Sequence, residues 1–596
     1  MGLAAGANRP LGHRAAQGRP RQGRASRHRL SPRGHAAGRP LTRSERQDSP
    51  LNEPDLPSPN DYQVVVVGFG PSGAVAASLL GHHGICSLVI DRQRAVYDKP
   101  RAIAIDHEIM RLLDNLGVAE QVLPYVAPFP ASEHFGADGQ LIRRIDMVPE
   151  PYPLGYTPTM VFTQPPVEGA LREHAGRYEG VKVSLGTELV GLQQTQTGVT
   201  LTLAGDDGSR RTVRADYVIA CDGASSGVRE RLRIGLADLV FDEPWLVVDV
   251  LINEDVADKL PQTAAQYCDP RRPTTFIIGP GRHRRWEIML LPGEDPQEAQ
   301  TPDRVWALLA RWLTPADATL WRAASYRFHA LVAERWRDGR VFIAGDAAHQ
   351  QPPFIGQGMC QGVRDVANLI WKLARVLEGS SDESLLDSYE EERSRHVREL
   401  TTRIKAIGQV ICERDPVAAR ARDARILAEG GGQPRTITRQ EIVPPLVTGL
   451  LTTRDDAAKG TLFPQPWVKS PEGYGRLDAV AGAGLRLIVE PTLAAKLPPG
   501  LSRQVSALGL RLIMVSSDPI RAPAARADNA VTERDGVLAR WFAAHGCRAA
   551  IVRPDHYVFG TAADDVALGA LLDELRARIT PAATGLHHAQ PIRAVP

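Results

Sequence analysis

Residues 61 to 91 constrain the fold of this 596-residue chain more than any other stretch. Val64 to Val67 form a short β-branched run suited to a strand buried on both faces, and it leads straight into Gly68, Gly70 and Gly73. That spacing is G-x-G-x-x-G at a strand-to-helix turn. The first glycine permits the tight turn, the second lets backbone N–H groups approach a pyrophosphate, and the third lets the helix pack close to the strand. A helix is expected over 74–82, ending near Gly84. A second strand over 87–90 closes on Asp91, where a carboxylate accepts from a ribose hydroxyl. The unit is βαβ and its expected ligand a dinucleotide; the glycines alone leave NAD and FAD open.

Three further segments carry chemistry. An apolar strand, Val341 to Ile343, ends in Gly345-Asp346, and Gly356, Gly358 and Met359 then lead into a helical pattern over 362–377. Asp222-Gly223 follows another apolar strand, and Arg101 and Gln164 lie between. Taken singly, Asp222-Gly223 is a hairpin turn and Arg101 a solvated charge. In this order, from Asp61 to about Leu400, the segments resemble the single-component FAD-dependent aromatic hydroxylases. Within that family the resemblance is closest to the 3-(3-hydroxyphenyl)propionate hydroxylases, through Arg327 to Arg337 and Gly358 to Leu373. Many family members have Asn where this chain has Cys360, a departure that this subgroup shares.

The resemblance implies FAD as cofactor, with NADH or NADPH as co-substrate. It makes Asp346 a hydrogen-bond partner of the ribityl chain and associates Asp222-Gly223 with both FAD and the nicotinamide. The expected cofactor-binding set is Gly68, Gly70, Gly73, Asp91, Arg92, Arg101, Gln164, Asp222, Gly345, Asp346, Gly356, Gly358 and Met359. Helix-start N–H groups facing the flavin edge, which becomes negative on reduction, contribute up to about 2 kcal/mol. That raises a two-electron potential by roughly 40 mV, a tuning effect only.

The implied reaction is hydroxylation of a phenolic aromatic acid, 3-(3-hydroxyphenyl)propionate or similar, by O2 through a C4a-hydroperoxyflavin. With one glycine fingerprint, the nicotinamide is expected to bind transiently. A phenol must lose or share its proton to become a good nucleophile, which calls for a base or relay. His329, His349 and Tyr267 are candidates, although a structural role is preferred for each. Trp245 and Trp286 either line the substrate cavity or belong to the core. No catalytic residue and no metal site is assigned. Two other classes stay open: a related FAD epoxidase or reductase, and a non-enzymatic flavin-binding sensor.

Charge and composition set the organisation. Residues 1–50 carry 11 Arg, no Lys and two acids, so the overall +2 conceals a body of 60 basic and 67 acidic residues, net −7. Such a body gives no electrostatic reason to expect nucleic acid or an anionic membrane, and no apolar run approaches a membrane span. Residues 1–60 read as a disordered Arg-rich extension. The six scattered cysteines, without CxxC, read as buried small hydrophobes in a reducing cytoplasm. The expected fold is α/β: a Rossmann-like FAD-binding domain over 61–400 with a β-rich substrate domain inserted (about 150–165 and 235–330). A helical linker over 401–465 follows, and 466–596 resembles, through Arg553 to Phe559, the thioredoxin-like tail of phenol-hydroxylase relatives; without CxxC it is expected to serve packing or a homodimer contact.

Overall fold

The computed structural model of the chain describes residues 61–471, 473–517 and 530–580; the expected extension over 1–60 lies outside them. Tyr62–Val67 is the centre of a largely parallel sheet, with Val64 opposite Ser87 on one side and Tyr217 on the other. Its neighbours on that path are Val341–Ile343, Arg210–Ala220, Ser87–Asp91 and Val181–Leu185. Val64, Val65 and Val66 are fully buried, as a strand covered on both faces requires. The helices Pro71–His82 and Gly358–Leu377 cross where Gly345 and Gly362 meet Ser72.

A nine-stranded sheet stands beside this layer, built around the long strands Leu236–Ile252 and Ala318–Ala333. One face packs Leu246, Val248, Phe276 and Trp286 together with Val305 and Leu309 of the helix Pro302–Leu309. The other packs Trp245, Val247, Met289 and Phe328 against Phe354, Ile355 and the helix Asp387–Cys412.

Two boundaries differ from expectation. The sheet takes Ser132–Phe135 and Leu141–Asp146, upstream of 150–165. Thr159–Phe162 instead pairs with Ala104–Asp106 and Val126–Pro128 in a separate three-stranded sheet. Strand runs of similar length carry no label for the sheet they join, because partner choice is a non-local property. The linker also contributes an edge strand, Arg435–Thr438, parallel to Leu141–Asp146.

The C-terminal sheet has the thioredoxin-like order. Arg486–Val489 is parallel to Arg511–Ser516 on one side and antiparallel to Ala549–Val552 on the other, with Val558–Ala562 beyond. Cys268, Cys360 and Cys547 are buried, whereas Cys86 is exposed at a strand start. None of the six is disulfide-bonded.

Candidate active site

Four neighbouring parallel strands end on one edge, and each carboxyl end carries one of the motifs. Tyr62–Val67 leads into Gly68, Ser87–Asp91 ends on its aspartate, Arg210–Ala220 leads to Asp222, and Val341–Ile343 leads to Gly345-Asp346. The carboxyl edge of a parallel sheet, at the point where strand order reverses, is where such folds hold nucleotides. Motifs up to 278 residues apart in sequence thus meet at one crevice.

The glycines divide into two kinds. A Cβ on Gly68 (φ +97°) would run into the Cys221 carbonyl oxygen, and one on Gly73 into the Gly68 carbonyl oxygen. Gly356 (φ +62°) lies against Ala104. These three are required by the fold. At Gly70 and Gly358 a Cβ would meet nothing within 4 Å. Each stands at the start of a helix that no N-cap side chain caps, which leaves first-turn N–H groups for a ligand or water. Two such helix starts in one crevice are a cradle for an anionic, extended ligand.

Asp346 opens into this crevice. Burial among surrounding protein pushes its carboxyl pKa up, against the pull of His349 and Arg101. Asp222 caps the short helix after it through Val228 N–H at 3.1 Å, and its Oδ1 is buried with no partner among the described residues. Asp91 accepts from Phe69 N–H at 2.8 Å and Gln93 N–H at 2.7 Å, so it braces the glycine turn with lone pairs to spare. Arg92 is exposed beside it, and Met359 is half-buried against the core. The donors, acceptors and open glycines fit FAD.

Gln164 holds the loop that carries Arg101. Its Oε1 accepts from the N–H groups of Arg101 (3.1 Å) and Ala102 (2.6 Å), and its Nε2 donates to Glu168 at 3.1 Å. In this arrangement it is a clamp on the Arg101 loop. From the other side, Arg285 donates to the carbonyls of Arg101 (2.8 Å) and Pro100 (3.2 Å), and Arg322 donates to Pro100 at 2.6 Å. Both guanidinium groups are tied to Asp249, at 2.7 and 3.4 Å. Burial pushes the Asp249 carboxyl up, but Arg285 and His283 more than offset it and hold the pKa at about 2. The Arg101 guanidinium itself is exposed over the Tyr97 ring.

This Asp249 network was not foreseen from sequence. Its signal was there: Asp249 interrupts the buried apolar run from Trp245 to Val250, and Arg285 lies on a strand buried along its whole length, His283–Met289. A second contact missed is Arg439, from the linker, which donates to the Ile355 carbonyl in the loop before Gly356.

The relay candidates do not converge. His349 is buried, with Nε2 2.9 Å from Asp365 and its ring stacked on Trp336. His329 is partly exposed and pairs with Asp242 at 3.4 Å. Tyr267 stacks on Phe135 on the opposite sheet face. Trp245 and Trp286 are both fully buried, Trp245 stacked on Phe328 and edge-on to Phe354.

Comparison with known proteins agrees with this geometry. Residues 61–404 match a family described as FAD binding domain, and 460–578 match the HcaD C-terminal domain. The chain is 37% identical over 521 residues (87% of this chain, 95% of the relative) to a "Probable NADH-specific resorcinol 4-hydroxylase" of Rhodococcus jostii (strain RHA1). It is 34% identical over 518 residues (84% and 93%) to "3-(3-hydroxy-phenyl)propionate/3-hydroxycinnamic acid hydroxylase 2" of Burkholderia vietnamiensis (strain G4 / LMG 22486). Among solved structures, aklavinone-11 hydroxylase with FAD and aklavinone superposes with TM-score 0.70 at 25% identity (88% of this chain, 99% of that one). The flavin-dependent monooxygenase PieE, with FAD and substrate, gives TM-score 0.71 at 21% identity (87% and 98%), a likeness of fold.

Proposed function

Because this chain belongs to the family of FAD-dependent aromatic hydroxylases whose FAD-binding domain spans residues 61–404, we propose that it uses NADH and O2 to hydroxylate a phenol bearing a meta substituent. The observation that carries this is the meeting of four strand-end motifs at one crevice, with two open glycines and an exposed aspartate in it. In the proposed complex the N–H groups after Gly70 face the pyrophosphate and Asp91 the ribose. Asp346 takes the ribityl chain, and the helix start at Gly358 faces the flavin. Bound FAD supplies electron transfer from the nicotinamide and activation of O2. The protein's own part is to orient the ring and keep water out. The apolar wall of Trp245, Phe328 and Phe354 serves the second task beside the loop that carries Gly356.

Both relatives' names contain a phenol substituted at the meta position, one uncharged and one a carboxylic acid. One observation favours the uncharged ring: Arg285 and Arg322, on the inward sheet face, are already committed to Asp249 and to loop carbonyls. The chain acts as a cytoplasmic enzyme in this reading, and its C-terminal unit packs rather than transfers electrons. Among the described residues no helix is long and apolar enough to cross a membrane.

The test is a panel containing resorcinol, 3-(3-hydroxyphenyl)propionate and non-phenolic alkenes, scored for stimulated NADH oxidation and for hydroxylated product. A phenol that accelerates NADH consumption at least tenfold corresponds to about 1.4 kcal/mol of coupling. Stimulation by alkenes alone, or peroxide as the sole product from every phenol, overturns the assignment.

A further inference from the structure

The inward face of the nine-stranded sheet is arranged in rows. Across three strands, one row reads Arg322, Asp249, Arg285, all bound to one another and to the Arg101 loop. Four residues further along comes Tyr326, Trp245, Met289, the aromatic wall next to Phe354. Between them lies a row of small or short side chains, Ala324, Val247 and Thr275, with one exception at its centre: Glu287. Glu287 is 2% exposed, and its Oε2 is sealed from solvent with no hydrogen-bond partner among the described residues. Thr275, its cross-strand neighbour, turns its hydroxyl to Gln266 at 2.6 Å instead.

A buried carboxylate without a donor costs free energy that a fold does not leave uncompensated without reason. The charged row does not satisfy it, because Arg285 spends its N–H groups on Asp249 and the two loop carbonyls. Partly exposed Ala324 leaves the row open at its end. The missing partner is therefore a donor that arrives with a ligand, flat enough to lie over small residues beside an aromatic wall.

We propose that Glu287 receives the ring hydroxyl of the aromatic substrate, accepting its hydrogen bond and then its proton; this rests on the hydroxylase reading above. The proton moves from the phenol oxygen to the Glu287 carboxylate, which frees an electron pair that raises the nucleophilicity of the ortho and para carbons. The new C–O bond forms there with one oxygen atom of O2 as the O–O bond breaks; the other oxygen leaves as water, reduced by the two electrons that NADH supplies, and the phenol oxygen becomes a ring carbonyl. When the attacked carbon loses its hydrogen as a proton to solvent, the ring regains aromaticity and the carbonyl oxygen takes the proton back from Glu287. The residue ends ionised, as it began.

Burial raises the Glu287 carboxyl to about 7, against the pull of Arg285 and Arg322 and with the push of Asp249, the charged groups that face it from its own and the adjoining strands. A base in that range is matched to a neutral-pH reaction.

The experiment uses the FAD-loaded full chain with whichever of resorcinol or 3-(3-hydroxyphenyl)propionate the wild type hydroxylates. Glu287→Gln keeps the shape and removes the base. Its FAD content is expected to match the wild type, while the hydroxylation step slows on the order of 10²-fold. The ionisation near pH 7 should vanish from the pH profile of that step, and NADH should be diverted to hydrogen peroxide. Glu287→Asp, which keeps a carboxylate but shortens it, should retain the ionisation with a raised KM. An unchanged pH profile and product yield in Glu287→Gln overturns the proposal. So does equal loss of activity in both variants with no change in pH profile, the mark of a merely structural role. If neither phenol is hydroxylated by the wild type, it is the hydroxylase reading that fails.

Discussion

The crevice at the carboxyl ends of the parallel strands and the seam under the C-terminal sheet both bury charged groups, and they treat them in opposite ways. At the seam, Arg111 is fully buried and donates to Asp478 at 2.6 and 2.8 Å and to the Phe463 carbonyl at 2.5 Å. Glu392 accepts from Lys372 (2.9 Å), Asn368 (2.6 Å), Leu450 N–H (2.7 Å) and two N–H groups of Arg553. In the crevice, Asp222 Oδ1 lacks a partner, two helix starts are uncapped by side chains, and Asp346 stands open. At the seam the buried charges are matched to one another; in the crevice the carboxylates and helix starts are left for a ligand to complete.

The largest effect that would break this distinction is at the seam. Glu392→Ala leaves Arg553 and Lys372 as buried cations and should cost about 3–5 kcal/mol in a denaturant titration. Burial pushes the Glu392 carboxyl up, but Arg553 and Lys372 outweigh it and hold it well below the ordinary 4.5. The stability it contributes is thus present above that pH and lost as the pH falls. The difference between wild type and variant should be greatest at neutral pH and shrink in acid; a pH-independent difference would mean that lost packing, not charge, is at stake.

Next is Asp346→Ala, expected to weaken FAD by about 1.5–3 kcal/mol, or roughly ten- to a hundred-fold. Although Asp346 opens into the crevice, the protein packed around it raises its carboxyl, so its ionisation disfavours the apoprotein, and that cost sets in as the pH rises through the ordinary aspartate range. The apo variant should be no less stable than wild type at pH 7. His349→Ala sharpens the contrast, since it breaks the bond to buried Asp365: it should lower stability and affect FAD less.

The two glycine kinds come third. Gly73→Ala pushes a methyl into the Gly68 carbonyl and should cost about 1–3 kcal/mol of stability. Gly70→Ala has free room and an ordinary φ of −67°, so it should fold normally and lose FAD affinity. If the two variants prove equally unstable by thermal melting, Gly70 belongs to the architecture. The smallest effect is at His329, whose partly exposed pairing with Asp242 is worth at most about 1 kcal/mol. His329→Ala should leave the denaturation midpoint nearly unchanged.

What could be read from sequence follows the same division. The strand-turn-helix at Gly68 to Gly73 and the helix after Gly358 are local, set by spacing and glycine chemistry, and the structure has them within a few residues of expectation. The nine-stranded sheet was legible over about 235–330 but not in its outer strands, Ser132–Phe135, Leu141–Asp146 and Arg435–Thr438. Short strands choose partners through packing that no local pattern records. The clamp that Gln164 makes on the Arg101 loop was not legible either, because it joins residues more than sixty positions apart. Asp249 and Glu287 were overlooked because a charge within a strand ordinarily reads as the solvent face, and here both faces are covered.

The central claim, that a dinucleotide completes what the crevice leaves unpaired, is tested most directly by the stability FAD adds to the apoprotein. At a hundredfold excess over Kd, bound FAD should raise unfolding free energy by about 2.7 kcal/mol. At that same FAD concentration the gain in Asp346→Ala should fall to about half or less, roughly 0.4 to 1.4 kcal/mol, while its apo midpoint stays at or above that of wild type. Equal FAD-induced shifts in the two proteins, or no shift in the wild type, would contradict the account.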